Sequence, residues 1–366
     1  RAWTLAFASL SVVWLPRRSV NLRLYYGMPP LDGQPLGWLW SPWQRWDTIW
    51  YTAIAARGYS STDLSTAFFP LYPALIRALT SVLPINGVAA GLLIASAAGL
   101  GAFILFYRLV AAEFDRDAAR RALAYLAAFP TAFFLFAAYT ESLFLFLALA
   151  AWWCAREKRW EWAGVFGGLA ALTRPQGALL VLPLSMIFWT QWRAGKVRWF
   201  RVVNLVLPVA ALGLFLLYLF QITGSPAAWL AIESQWRQAA LPWEPLIASA
   251  QVILSSGDGA LILWNSIDLG LALLFFATLL MLWRGRRWAE AMYVAIILLP
   301  PLFTLARFDP YLPLASLPRF LVVAFPGLAV LGTRTIRAPL LQLSVTLALL
   351  LQTFMLVVFT QWIFAG

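Results

Sequence analysis

Apolar blocks alternate with short charged or broken segments along the whole of this chain, and that alternation limits its possible folds more than any single motif. Gly87–Val110, Val202–Ile222, Ile267–Trp283 and Leu340–Phe364 are each near the length needed to cross a bilayer, about 20 residues. Shorter apolar stretches fill 122–138, 143–155, 162–172, 178–192, 292–306 and 320–332. Ala2–Leu15 reads as the remainder of a first membrane helix, which brings the expected total to about eleven. In hydrocarbon the backbone must satisfy its own hydrogen bonds, so these blocks are expected to be helices. Only 11% of the residues are charged and mean hydropathy is +0.78, whereas soluble domains carry about 25% charged residues. The fold class is therefore all-α: a polytopic membrane protein, with 1–366 read as one transmembrane domain.

The net charge of +12 is not pooled on one face, as a nucleic-acid partner would require. Of 27 Lys and Arg residues, 15 fall in five short loops at 113–121, 156–161, 193–201, 284–287 and 333–337. The positive-inside rule puts these loops in the cytoplasm and gives membrane lipids as partners of the basic residues. The longer, more polar segments then lie outside: a first exoplasmic loop at 17–86, breaks at 139–141 and 173–177, a second long segment at 223–265, and 307–319. The excess of Arg, Ala and Leu suits a bacterial plasma membrane, with the working face outward; a eukaryotic chain would present it to the endoplasmic reticulum lumen.

The chain has no histidine, which excludes a Ser-His-Asp triad and His-ligated metals. Cys154 is the single cysteine, so no intrachain disulfide can form. Acid–base chemistry falls to Asp or Glu. The outer acidic residues are scattered, with no Asp-x-Asp pair among them, so neither a metal nor another cofactor is implied.

The first outer loop is the most unusual part of the sequence. Ser41–Arg77 is too polar to span and too aromatic for a solvated loop. Ser41 and Pro42 read as N-cap and first residue of a helix running from Trp43 to about Ala56. That helix would set Trp43, Trp50 and Tyr51 on one face with Asp47 and lie in the membrane interface. A carboxylate on such a face is costly to desolvate, a setting that suits a general base; a structural Asp paired with a nearby Arg is the alternative.

Three motifs in this loop, Arg45-Trp46-Asp47, Ala56-Arg57-Gly58-Tyr59 and Ala67-Phe68-Phe69-Pro70-Leu71-Tyr72-Pro73, resemble the first exoplasmic loop of the PIG-V family, mannosyltransferases of the GT-C membrane class. Tyr139-Thr140-Glu141-Ser142, Thr173-Arg174 and Pro318-Arg319-Phe320 are similar to later motifs of that family. Phe320 stands where the family has Tyr, and Pro175-Gln176-Gly177 replaces its usual Ser-Asn-Gly.

The resemblance implies a GT-C-like topology and transfer of mannose from a polyprenyl-phosphate-mannose donor to a hydroxyl of a glycolipid or other glycan acceptor. A lipid phosphate is already a good leaving group, so one carboxylate can serve, as base in an inverting displacement. By its motif Asp47 is that base. Arg319, with Arg174 and Arg307, would hold the donor phosphate, which the guanidinium fork suits. Glu141, Arg45, Trp46, Arg57, Tyr59 and Tyr139 would line the substrate site, Glu141 gripping hydroxyls. Asp32 and Asp309 are reserves, Asp258 reads as a turn residue, and Trp229, Trp236 and Trp243 belong to an aromatic belt or stack on sugar. The rival readings are a lipid-linked sugar transporter or flippase, which the lack of an internal repeat weakens, and a non-catalytic member of the same fold.

Overall fold

The computed structural model describes residues 2–15, 25–307, 311–334 and 337–363. Arg17, Arg18, Arg23 and Asp309 lie outside the described residues. Four helices among the described residues are long and apolar enough to cross a membrane: Gly87–Glu113, Trp199–Thr223 (its first turns 3-10), Gly259–Arg284 and Ala338–Thr360. Half of the apolar window of Gly87–Glu113 is buried, against 22–28% in the other three. It is thus the central post of the bundle and they face outward.

Gly87–Glu113 packs on Glu141–Arg156, which packs on Trp160–Ala171, and this in turn on Val206–Thr223. Small residues permit the first of these contacts. A Cβ on Gly91 would strike Ala138, so glycine lets the central helix lie against the turn that leads into Glu141. The core between the helices is aliphatic and aromatic, with Phe106, Phe144, Trp152, Tyr293 and Phe325 fully buried.

Several expected elements are drawn differently. The apolar stretch 122–138 is not one helix: Arg116–Ala128 ends just before Pro130, and a 3-10 turn, Ala132–Leu135, follows. Proline lacks the amide proton a helix needs and disfavours helical backbone in the residue before it. The 320–332 stretch is split the same way, into Leu317–Leu321 and Phe325–Gly332, with Pro326 opening the second piece. The polar segment 223–265 folds into two helices, Ala228–Trp236 and Glu244–Ser255, and the start of a third. Asp258 caps that third helix by accepting from the backbone N–H of Ala260 and Leu261. The all-α expectation is amended by one small antiparallel sheet, Arg237–Ala239 against Thr304–Ala306, with Arg237 opposite Ala306.

The first-loop helix differs most. It spans Asp47–Arg57, preceded by a separate 3-10 turn, Ser41–Trp43. The expected continuous helix from Trp43 is interrupted because the residues between have partners far away in sequence. Gln44 accepts from the Leu31 N–H and donates to the Pro29 carbonyl, both at 2.9 Å. Arg45 donates from Nε to the Thr360 carbonyl at the end of the last helix (2.9 Å) and from Nη1 to the Ser41 carbonyl (2.5 Å). Trp46 takes φ +48°, a strained backbone that a packed surrounding must hold in place. The helix is enclosed by protein, with Thr48–Ala55 all buried.

Candidate active site

Four charged side chains from four separate breaks converge where these irregular segments meet. Asp47 begins the Asp47–Arg57 helix, Glu141 begins Glu141–Arg156, Arg174 ends the Thr173-Arg174 turn, and Arg319 sits on the short helix Leu317–Leu321. Arg319 Nη1 meets Asp47 Oδ2 at 2.6 Å and its Nε meets Glu141 Oε1 at 2.5 Å. Arg174 Nη1 donates to the same Glu141 oxygen at 2.6 Å. Two carboxylates and two guanidiniums balance, which is what makes such burial tolerable.

The four are not equivalent. The Glu141 side chain is 0% exposed and that of Arg319 7%, while Asp47 keeps 24%. Asp47 is thus the acidic member open to an incoming group. Glu141 has no open surface with which to grip a sugar, contrary to the expectation; it orients Arg174 and Arg319.

Local sequence explains how each is placed. A Cβ on Gly177 would overlap the backbone of Ala170 and Ala171 at 2.2 Å. Glycine there lets the turn after Arg174 lie flush on the Trp160–Ala171 helix. Ser316, at φ +71°, turns the chain into Leu317-Pro318-Arg319, and Thr131 Oγ1 anchors that turn by donating to the Pro318 carbonyl at 2.8 Å. Beneath the Arg319 guanidinium lie the rings of Tyr139 (4.5 Å) and Phe134 (5.2 Å), a cation–π seat. Tyr139 Oη also donates to the Arg45 carbonyl (3.2 Å) and accepts from the Asp47 N–H (3.3 Å), clamping both sides of the strained Trp46. Burial pushes the Tyr139 and Tyr51 phenols upward, with Asp47 adding to it, so both stay neutral.

The remaining expected residues are distributed unevenly. Arg45 is buried, spends its donors on carbonyls and stacks on Trp362 at 4.7 Å. It acts as a cap on the last helix. Trp46 packs edge-on against the same Trp362. Arg57 donates to the Tyr26 carbonyl, Tyr59 donates to the Phe68 carbonyl and packs on Phe215, and Arg307 reaches Gln238 on the neighbouring strand. None of these three joins the arginine–carboxylate cluster. Trp229 and Trp236 pack against Phe69 and Phe68 of the first loop, while Trp243 is exposed.

Sequence reasoning missed Glu233 and Arg237. Burial pushes the Glu233 carboxyl up against the pull of Arg237, with Asp47 raising it further; burial pushes Arg237 down. Arg237 donates to the Ala315 carbonyl at 2.5 Å, and the Phe320 ring lies near both Arg174 (5.0 Å) and Arg237 (5.9 Å). Phe320 thus presents an aromatic face to both arginines and carries no hydroxyl. A carboxylate four residues before an arginine in an outer segment was the available signal.

In this helical bundle a half-open carboxylate, Asp47, thus stands among buried arginines. Residues 33–190 match the family model described as Mannosyltransferase (PIG-V). The resemblance read from the motifs thus holds over the segment carrying Asp47, Glu141 and Arg174. Among solved structures, the apo Archaeoglobus fulgidus oligosaccharyltransferase aligns at a TM-score of 0.45 and 14% identity, covering 100% of this chain. The chain spans 56% of that protein's length. The curated proteins give no match.

Proposed function

We propose that the chain moves mannose from a polyprenyl-phosphate-mannose donor to a glycan or glycolipid hydroxyl on the outer membrane face, with inversion and with Asp47 as base. The observation that carries this reading is the Arg319 bridge: one guanidinium holds both the half-open Asp47 and the sealed Glu141. A donor phosphate arriving at Arg319 competes with Asp47 for Nη1. As the phosphate takes that donor, Asp47 is released to face the acceptor. The acceptor oxygen then attacks the anomeric carbon, its proton passes to Asp47, and the bond from that carbon to the phosphate oxygen breaks. Arg319 and Arg174 meet the charge that grows on the departing polyprenyl phosphate. Glu141 keeps both arginines aimed.

The test is transfer of [³H]mannose from polyprenyl-phosphate-mannose to lipid acceptors by purified protein, comparing wild type with Asp47→Asn. The expected result is transfer by wild type and its loss in a variant that still binds donor. Undiminished transfer by Asp47→Asn removes Asp47 from the mechanism.

A further inference from the structure

A cleft of about 490 Å³ opens between the first loop and the Ala228–Trp236 helix. That volume lies within the ~300–1,000 Å³ common for small-molecule sites. Its walls combine two unlike surfaces. One is aromatic: the Tyr26 ring, 39% exposed, lies 4.1 Å from the buried Trp50 ring that supports it. The other is mainly polar, formed by Ser61, Thr62, Asp63 and Gln235 with Leu64 and Ile232 between them, and charged only at Asp63. No basic side chain lines it among the described residues. An anionic lipid phosphate would find no partner there and would meet Asp63, whereas it is well served by the arginines around Glu141. A sugar ring offers what this cleft can use, an apolar C–H face for the Tyr26 ring and hydroxyls for the carboxylate, amide and hydroxyl groups.

The cleft also stands in the right place. Trp50 follows Asp47 by three residues on one helix, so the two share a face and are separated by about 4.5 Å along its axis. We infer that this cleft is the acceptor subsite and takes an uncharged hexose unit, stacked on Tyr26, which Trp50 backs, and hydrogen-bonded by Asp63, Thr62 and Gln235. This assignment rests on the glycosyl-transfer reading. It divides the site by charge: the anionic donor goes to the arginines, the neutral acceptor to the aromatic cleft, and Asp47 stands between.

Ser61 and Gln235 are exposed cleft residues, so Ser61→Trp and Gln235→Trp fill the space without disturbing the core. Two measurements on the full chain in detergent decide the matter. The first is transfer from polyprenyl-phosphate-mannose to octyl mannoside, glucoside and galactoside. The second is ligand-observed NMR of the corresponding methyl glycosides, which needs no turnover. The expected result is a rise of roughly tenfold in acceptor KM in either variant, as for loss of one good contact, with donor KM unchanged and the glycoside signal lost. Transfer with unchanged acceptor KM in both variants overturns the assignment. If wild type transfers nothing, the glycosyl-transfer reading fails by itself. A glycoside signal abolished by Ser61→Trp then still supports a sugar-binding cleft, and absence of any signal overturns that too.

Discussion

The Glu141–Arg156 helix carries an ion-pair cluster at each end, about 22 Å apart along its axis. The two have the same inventory, two carboxylates and two arginines. At its start are Asp47, Glu141, Arg174 and Arg319; at its finish are Glu113, Glu290, Arg156 and Arg287, with Arg287 bridging both acids. Their settings differ. The second cluster joins ends of regular helices, and the hole beside it measures about 10 Å³, room for about one water. Its most exposed member is a guanidinium, Arg156 at 42%. The first cluster is built on breaks in the helices, and its most exposed member is a carboxylate. Composition alone therefore does not make a site. What sets the first apart is a half-open carboxylate held against fixed cations, the setting in which functional groups cluster.

The largest expected contrast lies in activity. Asp47→Asn should lower transfer by about 10²–10⁴-fold, the range for losing a general base, while Glu113→Gln leaves the specific activity of folded protein unchanged. Equal losses in the two variants, measured per folded molecule, would erase the distinction between the clusters.

A second contrast lies in stability. Glu141→Gln strands two buried arginines and should cost about 3–5 kcal/mol, read as a fall in thermal midpoint in detergent. A shift no larger than that of Arg156→Ala would mean that Glu141 does not organise the cluster.

Glu233 gives a smaller, pH-dependent effect. Burial and Asp47 raise its carboxyl above the ordinary 4.5 of the unfolded chain, so the fold prefers the protonated form. Its stabilising contribution is full below pH 4.5 and is lost as pH rises through the raised value. Thermal midpoints from pH 4 to 8 should therefore fall less steeply in Glu233→Gln than in wild type. Parallel profiles would place Glu233 outside the field of the first cluster.

Arg156→Ala should do least. Its side chain is 42% exposed, and pairs at such positions are worth at most about 1 kcal/mol. Any loss of transfer in this variant would couple the two ends of the helix.

Much of this protein was legible from local patterns. Hydropathy is a local property, so the four long helices and the breaks between them could be read from residue order. Glu141 and Arg174 stood out because each interrupts an apolar run, and Asp47 and Arg319 by the motifs they sit in. Their partnership could not be read, because Glu141 and Arg319 are 178 positions apart and no periodicity links them. The same holds for the start of the Asp47 helix. Ser41-Pro42 is a sound local signal for a helix opening, yet side-chain bonds from Gln44 to the 29–31 turn and from Arg45 to Thr360 outweigh it. Only tertiary packing decided that Arg45 caps a distant helix, that Glu141 is sealed, and that Asp47 stays open. Those are non-local facts: a guanidinium is committed by whichever carbonyl or carboxylate the fold brings within 3 Å of it, and the sequence beside it does not say which.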